Sequence, residues 1–165
     1  MKSKVLALIL LCGAASLGAK VKRPALVGDN MILQQQTEVK LWGTAAPEAE
    51  VRVTPSWNGQ TMTCRADKDG GWTLAVETPA AGYTPYEITF DDGEKTTLKN
   101  ILIGEVWLAS GQSNMEMPLK GFAGCCIMNG VDDIIASAEN KCVRMFTVPK
   151  HQTYEPQTDC EGSWN

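Results

Sequence analysis

This sequence of 165 residues lacks the patterns typical of nucleic-acid-binding proteins and of zinc-binding proteins. No run of lysine and arginine occurs and the formal net charge is −4, which argues against a nucleic-acid surface or a polybasic membrane patch. Neither a Cys-x-x-Cys pair nor a Cys/His pattern with zinc-site spacing is present. The hydrophobic fraction of 44% is nevertheless sufficient for a packed core. This composition fits a globular protein that acts on a neutral or acidic polar partner.

No stable membrane span is expected either, because the apolar run at residues 5–11 is far too short to cross a bilayer. Lysines precede this run and small residues follow it, which predicts a signal peptide at residues 1–19 and export to the periplasm or the extracellular space. Lipoprotein anchoring through Cys12 is the less favoured alternative, since the bulky Leu11 directly precedes that cysteine. A short buried N-terminal helix is the other alternative.

Five of the six cysteines remain after removal of the predicted signal peptide, an odd number that leaves at least one thiol unpaired. They are Cys64, Cys125, Cys126, Cys142 and Cys160. The adjacent Cys125 and Cys126 do not easily bridge each other, and the spacing of the others determines no pairing. We expect partly buried free thiols with at most one disulfide.

Residues 20–100 alternate between apolar and polar side chains in the way that predicts β-strands. Three dipeptides typical of tight turns punctuate the pattern, because asparagine or aspartate followed by glycine readily adopts positive φ. They are Asn58-Gly59, Asp69-Gly70 and Asp92-Gly93. The short and regular strand spacing predicts an all-β, sandwich-like domain.

The pattern changes after this predicted domain. Apolar residues at 101–103 and 106–109 predict a strand buried on both faces, as in a parallel sheet. Residues 131–139 predict a helix with one apolar face, and residues 142–148 predict a further strand. One strand–helix–strand unit is too small to form a domain. We therefore interpret residues 101–165 as the truncated start of an α/β domain, and the chain as a fragment of a longer protein.

A serine follows the predicted buried strand in a glycine-bounded turn, where Gly111 and Gln112 precede Ser113 and Asn114 follows it. A serine hydroxyl becomes an effective nucleophile when a base takes its proton and N–H donors stabilise the oxyanion. The end of a parallel strand provides a fixed position that is open to substrate. We expect Gly111 to permit an unusual backbone angle, and Gln112 and Asn114 to orient the loop or bind substrate. On spacing alone, a turn or N-cap role for Ser113 remains the competing interpretation.

Residues 104–119, GEVWLASGQSNMEMPL, closely resemble the first catalytic block of the sialate O-acetylesterases, carbohydrate esterases of the SGNH-hydrolase superfamily. Residues 29–35 (DNMILQQ) resemble the N-terminal β-domain of that family. Residues 143–149 (VRMFTVP) and 159–164 (DCEGSW) resemble the segment that follows the first catalytic block. The resemblance extends over essentially all of the sequence after the signal peptide and implies a mixed fold, a β-domain followed by the start of an SGNH-type α/β domain.

The resemblance implies an esterase that removes O-acetyl groups from sialic acids or related sugars. Ser113 would be the nucleophile that forms an acetyl-enzyme, its backbone N–H would contribute to the oxyanion hole, and no metal or organic cofactor would be required. The family's catalytic Asp-x-x-His pair has no counterpart, because Val148 stands three positions before His151, the only histidine. We interpret His151 as a surface residue and expect these 165 residues alone to be inactive.

The alternative function is a non-catalytic β-module that binds glycan or a protein partner, since exposed tryptophans stack on sugar rings. Trp72 and Trp107 lie in apolar patterns that predict core positions, whereas Trp57, beside a turn, is the candidate for an exposed surface. Core or edge packing is the favoured interpretation for the five tryptophans. The sequence determines neither the acetyl position and preferred glycan nor the oligomeric state.

Overall fold

The computed structural model describes residues 20–165 except Glu139 and Lys141, so the predicted signal peptide lies outside the described residues. The described part is mostly β, and neither of its two helices is long and apolar enough to cross a membrane. Its elements, in chain order, are β1 (Ile32–Gln34), β2 (Glu38–Thr44), β3 (Glu50–Pro55), β4 (Met62–Arg65), β5 (Gly71–Glu77), β6 (Gly82–Asp91), β7 (Lys95–Gly104), a 3-10 helix (Ser113–Glu116) and α1 (Gly130–Ser137).

The strands form two sheets. Five strands pair in the order β1-β7-β6-β3-β4, and β2 pairs antiparallel with β5 in a separate two-stranded sheet. At the edge of the large sheet β1 runs parallel to β7, with Ile32 opposite Leu102. The remaining pairs of the large sheet are antiparallel. The predicted β-rich character is confirmed, whereas its description as a sandwich stays a prediction.

One hydrophobic core serves both sheets. Successive side chains of a strand point to opposite faces, so every second residue of β5 is buried, beginning with Trp72. In the large sheet Val51 and Val53 of β3, and Ile88 and Phe90 of β6, are completely buried. The Trp72 ring of the small sheet lies 5.9 Å from the Phe90 ring of the large sheet, which joins the two inner faces. Each such side chain contributes about 1.5–3 kcal/mol by leaving water.

Two of the three predicted turns connect paired strands. Gly59 lies between β3 and β4 with φ of 65°, and Gly93 lies between β6 and β7 with φ of 111°. The third turn, at Gly70, carries the chain from the large sheet to the small one, because β4 and β5 belong to different sheets. Gly70 has φ of 85°, and a Cβ atom there would lie 2.5 Å from the Ala45 carbonyl oxygen. All three glycines therefore have the predicted left-handed conformation, but only two of the turns close hairpins.

The predicted buried strand at residues 106–109 is wrong. Residues 101–103 belong to β7 and are buried as expected, but β7 ends at Gly104. Beyond it Trp107 is 86% exposed and Leu108 is 96% exposed, so the core position predicted for Trp107 is also wrong. A strand requires partners for its backbone N–H and C=O groups, and none of the described residues forms a ladder with this stretch.

The predicted helix is confirmed as α1, although Glu139 at its predicted end lies outside the described residues. Its apolar side chains are uncovered, since Val131 is 65% exposed and Ile135 is 68% exposed. The predicted strand at residues 142–148 is wrong, because only an isolated bridge between Phe146 and Trp164 forms there. A single bridge supplies too few ladder hydrogen bonds for a strand, so the expected strand–helix–strand unit is not assembled from the described residues.

The cysteines of the described part are all free thiols. Cys125 and Cys126 are exposed, and the other three are partly buried. Burial raises the pKa of the Cys64 thiol, which keeps that side chain in its less reactive protonated form. The expectation of partly buried free thiols is confirmed for Cys64, Cys142 and Cys160, whereas the vicinal pair is open to solvent.

Candidate functional site

Ser113 begins the 3-10 helix, and its side chain is exposed. Gln112 occupies the N-cap position with extended backbone, and its carbonyl oxygen accepts the Met115 N–H at 2.9 Å. Ser113 is therefore not the N-cap residue, so the N-cap part of the competing interpretation is wrong, whereas a purely structural role in this short helix stays an alternative. No hydrogen bond joins its hydroxyl to another residue of the described part. The hydroxyl is accessible to a substrate and to a base.

The residues on either side of Ser113 differ in part from expectation. Gly111 does not have positive φ, so the expected unusual backbone angle is wrong. The glycine is instead in close contact with Met115, since a Cβ atom at Gly111 would lie 2.6 Å from Met115 Cγ. Asn114 and Gln112 are exposed beside Ser113, and the Asn114 carbonyl oxygen accepts the Met117 N–H at 3.3 Å. Both residues thus flank Ser113 in the chain and are exposed, and the Gln112 side chain makes no cap hydrogen bond.

A base for Ser113 is not assembled within the described part of the chain. His151 is exposed, as predicted, in a segment without regular structure. Its neighbour Lys150 forms an ion pair with Glu116, which connects that segment to the helix of Ser113. No hydrogen bond or ion pair links His151 to Ser113 or to a carboxylate of the described residues. Those residues also contain no group of His, Cys, Asp and Glu side chains that could hold a metal ion.

The segment that leads to Ser113, residues 105–112, is fixed to β1 where it begins. Gln35 Nε2 donates to Glu105 Oε1 at 2.6 Å, and Gln34 Nε2 donates to Glu105 Oε2 at 3.0 Å. Gln34 Oε1 in turn accepts the Val106 N–H at 2.9 Å. The hydrogen bonds from Gln35 and Gln34 lower the pKa of the Glu105 carboxyl. Two glutamines therefore hold both oxygens of one carboxylate at the start of the serine segment.

These glutamines could not be identified from strand periodicity, because their contacts are with a segment about seventy positions away. The available signal was the resemblance itself, since Gln34 and Gln35 lie in one matched segment and Glu105 lies in another. Two parts of the sequence that match the family separately are thus in direct contact.

Arg144 fixes a third matched segment to the β-rich part. Its Nη1 donates to the carbonyl oxygens of Asn30, at 2.8 Å, and Asn100, and its Nη2 donates to Asn100 Oδ1 at 3.0 Å. Asn30 and Asn100 have φ of 64° and 59°, a left-handed conformation that asparagine tolerates better than most residues. Their side chains are joined by a hydrogen bond of 2.7 Å. Partial burial lowers the pKa of Arg144, although a guanidinium stays protonated at neutral pH.

The last matched segment contacts the same side of the β-rich part. The Trp164 indole N–H donates to the Leu26 carbonyl oxygen at 2.9 Å. Its ring packs edge to face with Phe146, with 5.3 Å between centroids. Asp159 Oδ1 accepts the Ala25 N–H at 2.9 Å. Residues 144–165 are therefore attached to the β-rich part by side chains, without a regular sheet.

Apart from the exposed Trp107, the other tryptophans show the favoured core or edge packing. Trp57 is half-buried, donates its indole N–H to the Glu77 carbonyl oxygen at 2.9 Å, and meets Tyr86 edge to face. Trp72 is 3% exposed, and Trp42 packs partly against the core. Trp57 is therefore an edge residue rather than an open stacking surface.

No protein-family model matches the chain. It is 27% identical over 175 residues to the sialate O-acetylesterase of Rattus norvegicus, an alignment that covers 97% of this chain and 31% of the relative. It is 30% identical over 168 residues to the sialate O-acetylesterase of Mus musculus, covering 89% of this chain and 30% of the relative.

A solved structure agrees with these relatives. The crystal structure of a carbohydrate acetylesterase from Xanthomonas citri matches with a TM-score of 0.76 and 31% identity, covering 88% of this chain and 32% of that chain. The chain thus spans about 30% of the length of the curated relatives it matches. Because sequence and fold agree over nearly all of it, the chain belongs to the sialate O-acetylesterase family.

Proposed function

We propose that the chain is part of an exported carbohydrate O-acetylesterase in which Ser113 is the nucleophile. The observation that supports this most directly is the position of Ser113, exposed at the start of its helix with a hydroxyl free of hydrogen bonds to the described residues. The relatives named sialate O-acetylesterase, and the structure named a carbohydrate acetylesterase, support acetyl-ester hydrolysis on a sugar. The substrate proposed is an O-acetylated sialic acid or a related acetylated carbohydrate.

In the proposed reaction, Ser113 Oγ attacks the acetyl carbonyl carbon while a base accepts the hydroxyl proton. The carbonyl oxygen becomes an oxyanion, which backbone N–H groups stabilise. The N–H of Ser113 is suited to this role, because the first N–H groups of a helix have no acceptor within it. The C–O bond to the sugar then breaks, the sugar hydroxyl leaves with the returned proton, and an acetyl-serine remains. Water attacks that ester, releases acetate and regenerates the serine.

The described residues do not bring a base or an orienting acid to Ser113, so we propose that these 165 residues alone have little or no turnover. Removing the other members of a serine triad leaves only the small contribution of the oxyanion donors and of binding. The chain spans about 30% of its curated relatives, and we expect the base and the acid to come from the rest of a full-length enzyme.

The test compares Ser113→Ala with wild type in the full-length enzyme, with an O-acetylated sialic acid as substrate and acetate release as the readout. We expect kcat to fall by at least about 10³-fold, the usual effect of losing a nucleophile. Ser110→Ala is the matched control, because Ser110 is an exposed serine in the same segment, and it should retain activity within a few-fold. Normal activity of Ser113→Ala would disprove the nucleophile assignment. Serine-dependent turnover by the 165 residues alone would contradict their proposed inactivity.

A further inference from the structure

A groove of about 760 Å³ opens on the β-rich part, and neither the segment at 105–112 nor the 3-10 helix lines it. We call it the Trp42 groove. Its walls are residues 22–24, the small sheet around Trp42 and Thr73, and residues 158–159 of the attached C-terminal segment. The groove is large enough for one or two sugar units. The proposed nucleophile is not among the residues that line it.

Cations outnumber carboxylates in the lining of the Trp42 groove. Lys22, Arg23 and Arg65 line it, together with Asp67 and Asp159. Both carboxylates already bond to backbone N–H groups through Oδ1, Asp67 to two of them and Asp159 also to two. Arg65 forms one ion pair, an exposed contact of 3.8 Å with a glutamate. That glutamate does not line the groove. The lining therefore carries one more positive than negative charge, in a chain whose net charge is −4.

Arg23 is the groove-lining cation with unsatisfied hydrogen-bond donors among the described residues. Its Nε and Nη1 are shielded from solvent and have no hydrogen-bond partner in the described part of the chain. One face of the guanidinium lies over the Phe90 ring, 5.2 Å from its centroid, which holds the group in place. Burial lowers the pKa of Arg23, and the charge of Asp29 only partly opposes this effect. Because Arg23 lines the groove, an anion bound there would place negative charge beside this guanidinium.

Trp42 gives the groove an apolar platform beside this charge. It lies opposite Thr73 in the β2–β5 pair and is half-buried, while its neighbour Leu41 is 1% exposed and points into the core. The Trp42 side chain therefore starts from the outer face of the sheet, and its indole lines the groove while part of it packs against the core. An indole face packs against the C–H groups of a sugar ring, whereas a small inorganic anion has no apolar surface to pack against it.

We propose that the Trp42 groove is a binding site for a carboxylated sugar unit, separate from Ser113. The sugar ring packs on Trp42, and its carboxylate pairs with Arg23 and Lys22. Arg65 adds to the positive field at the other side of the groove. This site holds an acidic glycan on the β-rich part without taking part in ester hydrolysis.

The test uses the 165-residue chain with 15N-labelled tryptophans and follows the indole N–H signals by NMR. The probes are D-glucuronate, D-glucose and acetate at equal concentrations. We expect a saturable shift of the Trp42 signal with glucuronate, at least tenfold weaker binding of glucose and acetate, and no shift of Trp57. Binding should also weaken as NaCl is raised, because salt screens exposed charges.

Substitutions in and near the Trp42 groove test whether glucuronate binds there. Lys22→Gln and Arg65→Gln are exposed changes that should leave the fold intact, and we expect each to weaken glucuronate binding at least threefold. Lys40→Gln is the matched control, because Lys40 is an exposed cation on the same strand as Trp42 but does not line the groove. Lys40→Gln and Ser113→Ala should bind glucuronate as wild type does. The Ser113→Ala result separates this site from the proposed esterase, whose activity the same change should abolish.

Several results would overturn the proposal. Absence of a saturable glucuronate shift would exclude the site. Equal binding of acetate would indicate a simple anion site, and equal binding of glucose would indicate a site that ignores charge. An equal loss in Lys40→Gln and Lys22→Gln would show that the effect follows overall charge rather than the groove.

Discussion

Replacing Arg144 by alanine should detach the C-terminal segment from the β-rich part without unfolding either sheet. Arg144 donates to the carbonyl oxygens of Asn30 and Asn100 and to the Asn100 side chain. The alanine variant loses all three hydrogen bonds and leaves two carbonyl oxygens with fewer donors. The core of the two sheets is formed by other residues and should stay folded.

The magnitude follows from these contacts. A hydrogen bond from a charged donor contributes about 1.5–3 kcal/mol in a protein, and exposure reduces that value. One of the three bonds is partly buried and two are exposed, so we assign about 2–3 kcal/mol to the whole set. Since about 1.4 kcal/mol changes an equilibrium tenfold, detachment of residues 144–165 should become at least roughly 30-fold more favourable.

The assay is hydrogen exchange of the Trp164 indole N–H, which donates to the Leu26 carbonyl oxygen and is released when the segment detaches. Exchange through local opening reports the free energy of that opening alone. Arg144→Ala should therefore accelerate Trp164 exchange roughly 30-fold, and the Val53 amide in the core of β3 should still exchange with a higher opening free energy than Trp164 because it requires unfolding of the sheet. Arg144→Lys keeps the charge but loses the planar fork, and its effect should be intermediate.

Arg52→Ala is the control, because Arg52 is an exposed arginine whose ion pair with Glu50 lies on the surface. Surface pairs of this kind contribute about 0–1 kcal/mol, so Trp164 exchange should barely change. Trp164 exchange within threefold of wild type in Arg144→Ala would refute the reasoning, as would equal opening free energies for Trp164 and Val53 in the wild type, which would show that the segment does not detach separately.

Two further predictions concern the attachment of the serine segment and the core. Because hydrogen bonds to Gln35 and Gln34 lower the pKa of Glu105, this contact stabilises the fold above the ordinary glutamate pKa and is lost as pH falls through the lowered value. An NMR titration should find the Glu105 pKa below the ordinary value and raised in Gln35→Ala; an unchanged pKa in that variant would contradict the assignment. Phe90→Ala should lower the free energy of unfolding by about 3–5 kcal/mol in urea denaturation, because the ring is completely buried. Tyr83→Ala, at an 84% exposed residue, should cost under about 0.5 kcal/mol, and equal losses would show that burial does not set the cost.

Local structure was predictable wherever the sequence carries its own geometric signal. The Gly59 and Gly93 turns and the alternation in β5 follow from backbone preferences and from the two faces of a strand. The helix α1 follows from the spacing of its apolar residues. Each of these features depends on residues close together in the chain, so neighbouring positions are enough to identify it.

Residues 106–109 show where such reasoning fails. Their composition suits a buried strand, but a strand also requires a partner, and the described residues provide none. The same holds for residues 142–148, where one bridge replaces the expected ladder. Apolar composition shows that a segment is suited to burial, but it does not show whether a neighbouring element is present to cover it.

The candidate site likewise has features that the sequence predicted and contacts that only the structure shows. The position of Ser113 and its family were identified from a contiguous run of residues, and the comparisons confirm the family. The attachment of Glu105 to two glutamines, and of Arg144 to two asparagines, involves residues about seventy, forty-four and 114 positions apart. The order of residues along the chain does not show that residues so far apart are in contact.

By itself the sequence determined the turns, most of the strands, the helix and the family resemblance of the segment that contains Ser113, because each depends on residues close together in the chain. The tertiary structure alone decided that β7 ends at Gly104, that Ser113 is exposed after an irregular segment, and that the C-terminal residues lie against the β-rich part. It also brought Trp42 and Arg23 to one groove. The reason is physical: hydrogen bonds and burial depend on which groups meet in space, and only the folded chain brings distant residues together.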